Sequence, residues 1–236
     1  MQTEQNNTKN IVIIKPSIIV VGILFTTFLI LSNLTAFKLV QYSSFAFPAG
    51  LLFFPVTYIF DDILTEVYGF KVSRLVIWTA LLANAIVICG TWFTTYLQPA
   101  PYWHEQSAYA SIYQAIPRVF CASILGYLTG EFFNSMILAK LKIKCAGRHL
   151  WFRLLLSTAV GVGVDTAIFV HVAFLFLVPY TNIWQIILTT YLFKVTYEML
   201  VMPVTYKIIN YLKRKDKTDH YDIGTKFNPF SIRLDE

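Results

Sequence analysis

Arg118, Glu131, Asp165, Lys194 and Glu198 lie inside stretches otherwise apolar enough to cross a membrane. A charge at the bilayer centre costs about 2.5–3.5 kcal/mol on insertion scales. A chain accepts that cost only where the charges face a bundle interior, pair there, or meet a polar ligand. The chemistry to expect is recognition of a polar solute within a membrane bundle. Lys194 and Glu198, four apart, share one helix face. They suit either an internal ion pair or a ligand-binding acid tuned by the neighbouring ammonium. Arg118 and Glu131 are thirteen residues apart, about 20 Å along a helix. Each therefore needs a partner from another element. Asn134 shares the Glu131 face, and the two together suit ligand or ion contact.

A second acidic group reads Asp61-Asp62-Ile-Leu-Thr65-Glu66. Asp62 and Glu66 share a face and could hold magnesium, as in a membrane prenyltransferase. That chemistry needs a second acidic cluster of comparable spacing, which the sequence lacks. The simpler reading is a helix start at the membrane surface, with Asp61 as N-cap and acids in the first turn. Ser157, Thr158, Gly161, Gly163, Asp165 and Thr166 form a polar run, followed by His171. Gly161-Val-Gly163-Val-Asp165 is one residue out of step with the Gly-x-Gly-Asp of intramembrane aspartyl proteases, and no Tyr-Asp pair stands in another span. His171 reads as a packing histidine rather than a proton relay. Gly126 and Gly130 permit close helix packing.

The elements that must position these residues are helices. Of 236 residues 56% are hydrophobic and 14% charged, against about 25% charged in a soluble domain. A span takes about 20 apolar residues. Six fill the chain, at roughly 17–37, 45–60, 75–97, 112–139, 154–178 and 183–212. The fold expected is an all-α integral membrane protein, a six-helix bundle. Its second span is broken by Pro48, Gly50 and Pro55, giving two half-helices or a re-entrant segment. Pro203 could loosen the sixth span beside Glu198, and that span's end, 207–217, emerges as a basic surface helix. Residues 1–16 form a polar N-terminal segment, 17–212 the transmembrane domain and 213–236 a basic, polar tail.

Lys and Arg gather before the first span, after the second, between the fourth and fifth, and after the sixth. That alternation places both termini in the cytoplasm. The net charge of +6 thus serves topology and implies no direct nucleic-acid partner. Residues 98–111, rich in Trp, Tyr and Pro, suit the outer interface. Cys89, Cys121 and Cys145 form no disulfide or zinc pattern. No removable signal peptide is read. No phosphate-cradling loop ending in Gly-Lys-Ser/Thr appears, so no cofactor is expected. Small residues in the spans permit a homodimer.

Ser32-Asn-Leu-Thr-Ala-Phe-Lys38, Phe47-Pro-Ala-Gly50, Phe54-Pro-Val-Thr-Tyr-Ile-Phe-Asp-Asp62 and Thr65-Glu-Val-Tyr-Gly69 form one set of motifs. Arg118 with Gly130-Glu-Phe-Phe-Asn134, Ser157-Thr through Asp165-Thr166, and Lys194-Val-Thr-Tyr-Glu198 with Pro203 form another. Together, over about residues 20–210, the chain resembles the bacterial queuosine-precursor transporters of the vitamin uptake transporter group. The resemblance implies uptake of 7-cyano- and 7-aminomethyl-7-deazaguanine, or queuine, across the bacterial inner membrane for tRNA modification. It implies a nucleobase substrate and the lipid bilayer as partners, and no enzymatic activity.

A guanine-like edge offers an N–H beside an NH₂, which a carboxylate accepts together. Glu198, Asp165 and Glu131 are candidates for that role, and Asn33, Asn134 or Arg118 for the carbonyl edge, with Lys194 tuning Glu198. Tyr127, Phe132, Tyr191 and Tyr197 could supply a stacking platform. Pro48, Pro55, Asp61, Asp62 and Glu66 are the candidate gating or structural motif. Two other readings stay open: a membrane subunit that binds another vitamin for a separate energising module, and a magnesium-dependent transferase built on Asp61, Asp62 and Glu66.

Overall fold

A computed structural model describes residues 15–36, 38–42, 45–113, 116–176 and 179–230. The N-terminal segment expected over 1–16 therefore lies almost wholly outside the described residues. The elements run α1 (Pro16–Thr35), β1 (Leu39–Tyr42), β2 (Phe45–Pro48), a 3-10 turn (Ala49–Leu52), α2 (Phe54–Tyr68), α3 (Phe70–Thr94), α4 (Gln106–Tyr113), α5 (Ile116–Lys144), α6 (Leu150–Phe174) and α7 (Tyr180–Asp216). Within α1, α3, α6 and α7 lie stretches long and apolar enough to cross a membrane. Their outer faces carry exposed Ile19, Val20, Ile23, Leu82, Ile86, Leu188, Leu192 and Leu200. That is the surface a bilayer, not water, would cover.

The segment 45–60 differs most from expectation. It is neither one span nor two half-helices. β1 and β2 form an antiparallel hairpin pairing Leu39 with Pro48 and Tyr42 with Phe45. The 3-10 turn then packs on α1, where Gly50 comes so close that a Cβ there would strike the Ser32 carbonyl oxygen. Ser32 Oγ donates to the Gly50 carbonyl at 2.9 Å. Only then does α2 start, with Pro55 in its first turn, where the missing N–H breaks no bond. Pro therefore starts the helix here instead of breaking it.

α2 is the axis of the bundle. Its 15 residues make about 22 Å of helix, with α1, α3, α5 and α7 around it. Thirteen of them are buried, Asp61, Asp62 and Glu66 among them at 0% exposure. Asp61 is thus not an N-cap at a membrane surface; the helix begins seven residues earlier. A helix so largely enclosed by protein can carry acids that a lipid-facing helix could not.

α5 and α6 meet through small residues. A Cβ on Gly130 would lie 2.6 Å from Asp165 Cβ and 2.8 Å from the Gly161 carbonyl. One on Gly126 would lie 2.8 Å from the Asp165 carbonyl. This is the close packing expected of Gly126 and Gly130. α7 runs unbroken for 37 residues, about 55 Å, straight through Pro203.

The residues after α7 fold back over the ends of α2 and α3. His220 N–H donates to the Val67 carbonyl at 3.1 Å. Lys142 Nζ donates to the Glu66 carbonyl at 2.5 Å. Both carbonyls belong to the last turn of α2, where no helical partner exists. Asp222 Oδ2 accepts the Phe70 N–H at 3.0 Å, in the first turn of α3. Arg74 Nη1 donates to the Asn228 carbonyl at 2.8 Å and Trp78 Nε1 to the Pro229 carbonyl at 2.7 Å. Gly69, at φ +92°, makes the sharp turn between the helices, with His220 against it.

Asp219 ties this strap down, accepting from Lys142 at 2.5 Å and pairing with Lys213 at 3.0 Å. Burial pushes its carboxyl up, but Lys142 and Lys213 outweigh that and hold it below its ordinary 3.8. A carboxyl depressed in the folded state stabilises above its unfolded value, and this is lost as pH falls through the folded value. Asp219→Asn is expected to melt modestly below the parent at neutral pH, the gap closing once pH drops below 3.8. A gap that persists unchanged into acid would refute the assignment.

Candidate functional site

Five carboxyl groups meet in the bundle interior: Asp61 and Asp62 from α2, Glu131 from α5, Asp165 from α6 and Glu198 from α7. All are at most 2% exposed. Three and four residues before them on α2, Thr57 and Tyr58 share their face, and Thr57 Oγ1 stands 3.3 Å from Glu131 Oε1.

Asn134 ties α5 to α2. Its Nδ2 donates to Asp61 Oδ2 at 3.0 Å and Asp62 Oδ1 at 2.8 Å. Ser73 of α3 donates to Asp61 Oδ1, and Thr158 of α6 to Asp62 Oδ2 at 3.4 Å. Asp61 and Glu131 are within hydrogen-bond reach of each other. Glu198 lies within electrostatic reach of Asp62.

The expected intrahelical pair of Lys194 with Glu198 is not formed. Lys194 Nζ donates to Asp165 Oδ2 at 2.5 Å, across from α7 to α6. It also sits 4.1 Å from the centre of the Phe54 ring, a cation–π contact. Among the described residues, Glu198 is left with both carboxylate oxygens buried and without a hydrogen-bond partner. Tyr58 and Tyr127 hydroxyls, Glu131 Oε2, Asn134 Oδ1 and Thr166 Oγ1 are likewise unpartnered. Buried polar groups are nearly always satisfied. The unsatisfied ones named here lie on helices that share one interior.

Other expected residues fall elsewhere. Asn33 joins α1 to α5, its Oδ1 accepting from Ser123 Oγ at 2.7 Å and its Nδ2 donating to the Leu29 carbonyl at 3.1 Å. Arg118 lies in the first turn of α5, and its side chain is outside the described residues; so is that of Pro48. Phe132 turns toward α3, 6.0 Å from Trp78 and 6.5 Å from Phe70. Tyr127 faces the acids' side, 6.2 Å from Phe54. His171 packs with Tyr180 and Trp184, and its Nδ1 lies 2.7 Å from the Ala167 carbonyl.

Glu66 has left the acid cluster for a cationic one. Arg153 grips both its oxygens. Lys213 donates to Oε1 at 2.6 Å and Lys142 stands 3.7 Å away. These basic residues, read in sequence as topological markers, hold the base of the bundle together. Sequence reasoning also passed over Phe54, Thr57, Tyr58 and Ser73. The i, i+4 spacing of Tyr58 to Asp62 was the available signal for one of them. Two open depressions, of about 390 and 360 Å³, lie apart from the acids, at the end of α3 beside Trp103 and in the groove between α1 and α3.

The model of a family described as "Putative vitamin uptake transporter" matches residues 48–208, more than half of the chain. A protein of Bacillus subtilis (strain 168) described as "Probable queuosine precursor transporter" is 29% identical over 180 residues, covering 74% of this chain and 77% of that one. No solved structure matches the chain. The family match begins at the end of β2, runs into α7, and encloses all five buried carboxyls and Lys194. The chain therefore belongs to the vitamin uptake transporter family and is a multi-pass membrane transporter, not a transferase built on Asp61, Asp62 and Glu66.

Proposed function

We propose that the chain imports queuosine precursors, 7-cyano- and 7-aminomethyl-7-deazaguanine, across the bacterial inner membrane. It does so as a six-span bundle with both termini in the cytoplasm. The observation that carries the reading is Glu198. Two carboxylate oxygens, 1% exposed and without a partner, match the paired N–H and NH₂ donors of a guanine-like edge. The carbonyl edge needs a donor, and the unpartnered Tyr58 and Tyr127 hydroxyls supply candidates besides Arg118. Lys194, four residues before Glu198 on α7, holds Asp165 and sits over the Phe54 ring. An aminomethyl base, being cationic, gains from the surplus of acids over Lys194. The description of the Bacillus subtilis relative supports the cargo.

The test is queuosine in tRNA from bacteria that neither make nor import the precursors. Expressing this chain and supplying one base at a time is expected to restore the modification. Failure with every base, the protein being in the membrane, would overturn the cargo. Glu198→Gln replaces an acceptor by an NH₂ that opposes the base's own NH₂. Loss of one charge-assisted hydrogen bond, about 1.5–3 kcal/mol, predicts uptake about 10- to 100-fold lower at limiting substrate. Unchanged uptake by that variant would sink the carboxylate clamp.

A further inference from the structure

The acids of α2 and α5 form an arrangement that substrate binding at Glu198 does not use. Asp61 and Glu131 are both 0% exposed and within hydrogen-bond reach of one another. Two carboxylates cannot bond, since neither has a proton to give. Glu131 Oε2 is accordingly without a partner when only fixed donors are counted. Thr57 has one hydroxyl proton, and its 2.7 Å bond to the Phe54 carbonyl takes it. Its contact with Glu131 Oε1 at 3.3 Å is only the weaker branch of the same proton. One added proton supplies the bond that two carboxylates lack.

The surroundings leave that proton to the pair. On α3, Ser73 donates to Asp61, and Arg74 donates to the Asn228 carbonyl. On α5, Asn134 donates to Asp61 and Asp62, and Tyr127 lies one turn from Glu131. On α2 stand Tyr58, Asp62 and Glu66, the last engaged by Arg153 and Lys213. On α6, Asp165 holds Lys194 of α7. Glu198 of α7 lies within electrostatic reach of Asp62.

We propose that Asp61 and Glu131 bind one proton between them and that this proton is carried inward with the substrate. The proposal rests on the reading of the chain as a base importer. Its direction follows from charge. Asn134 links Asp61 to Asp62, and Asp62 lies within electrostatic reach of Glu198, so an ionised Asp61–Glu131 pair adds negative charge near the clamp. Like charges disfavour one another. A proton on the pair therefore favours the ionised Glu198 that accepts the base, and proton and base bind together. Linkage makes this reciprocal: acid outside loads the base, and the more alkaline cytoplasm releases both.

The experiment uses the purified full chain in proteoliposomes with labelled 7-cyano-7-deazaguanine, a neutral base, and a pH dye in the lumen. With the outside acid, the parent is expected to accumulate base and acidify the lumen when base is added. Asp61→Asn keeps the size of the group and its bonds to Asn134 and Ser73, which can turn to accept, but cannot titrate. It is expected to lose the proton signal and to lose at least tenfold more of the gradient-driven accumulation than of base exchange at equal pH. Full gradient-driven accumulation by Asp61→Asn, or accumulation by the parent with no proton movement, would overturn the proposal. A second readout does not depend on cargo. Infrared difference spectra between acid and alkaline pH are expected to show a protonated-carboxyl band that Asp61→Asn removes. Absence of that band in the parent would overturn the proton site. Absence of base exchange with the band present would instead overturn the cargo and support the site.

Discussion

Glu66→Gln is expected to cost the folded protein about 3–5 kcal/mol, the range for breaking a buried ion pair by removing one partner. The change is nearly isosteric, so lost packing contributes little. What it leaves is Arg153 at 0% and Lys142 at 1% exposure, with Lys213 beside them, around a neutral amide. Asp219, half exposed, is the acid left among them. Arg153 keeps its bonds to the Arg148 and Gly147 carbonyls, so it cannot swing out to water without breaking them. The measurement is thermal unfolding in detergent. The double variant Glu66→Gln/Arg153→Gln is expected to be more stable than the sum of the two single changes predicts, because the second removes a charge stranded by the first. Strict additivity, or a Glu66→Gln protein melting with the parent, would show that Glu66 is not the counter-charge.

Gly130→Val is expected to lower stability by about 1–3 kcal/mol, the range for overpacking, and to reduce uptake more than tenfold. The first added carbon already stands 2.6 Å from both the Tyr58 hydroxyl and Asp165 Cβ, and 2.8 Å from the Gly161 carbonyl. The last of these is backbone and cannot rotate away. α5 and α6 must separate, and Asp165, which holds Lys194, moves with them. Gly90→Val is the control. Nothing lies within 4 Å of a Cβ there, and its face is exposed, so uptake should be unchanged. Equal losses at both positions would mean valine harms these helices through propensity alone.

Sequence gave the outer helices readily and the inner one poorly, for a physical reason. α1, α3, α6 and α7 turn a face to lipid, and hydropathy reports lipid contact. α2 buries thirteen of its fifteen residues in protein, so its acids looked like a membrane boundary where the helix in fact runs on. Spacing rules see neighbours along one helix. They paired Lys194 with Glu198, whereas its partner Asp165 is 29 residues away on α6. The same blindness made Lys142 and Arg153 into topological markers, since Glu66 is 76 and 87 residues distant. Gly126 and Gly130 were legible because small residues four apart state a packing requirement without naming the partner. The residues after α7 have no apolar period, so nothing local announced that they close the end of the bundle.

That closure sets an order of assembly. The first turn of α3 is capped by Asp222, 152 residues later in the chain, and the Val67 carbonyl of α2 by His220. At about 5–20 residues per second of synthesis, these groups wait on the order of ten seconds or more for their partners. During that interval the central helix stands with open carbonyls at one end. Later-made residues thus complete an earlier-made core, and a nascent chain stopped short of His220 leaves the Val67 carbonyl at the end of α2 open to the cell's quality control.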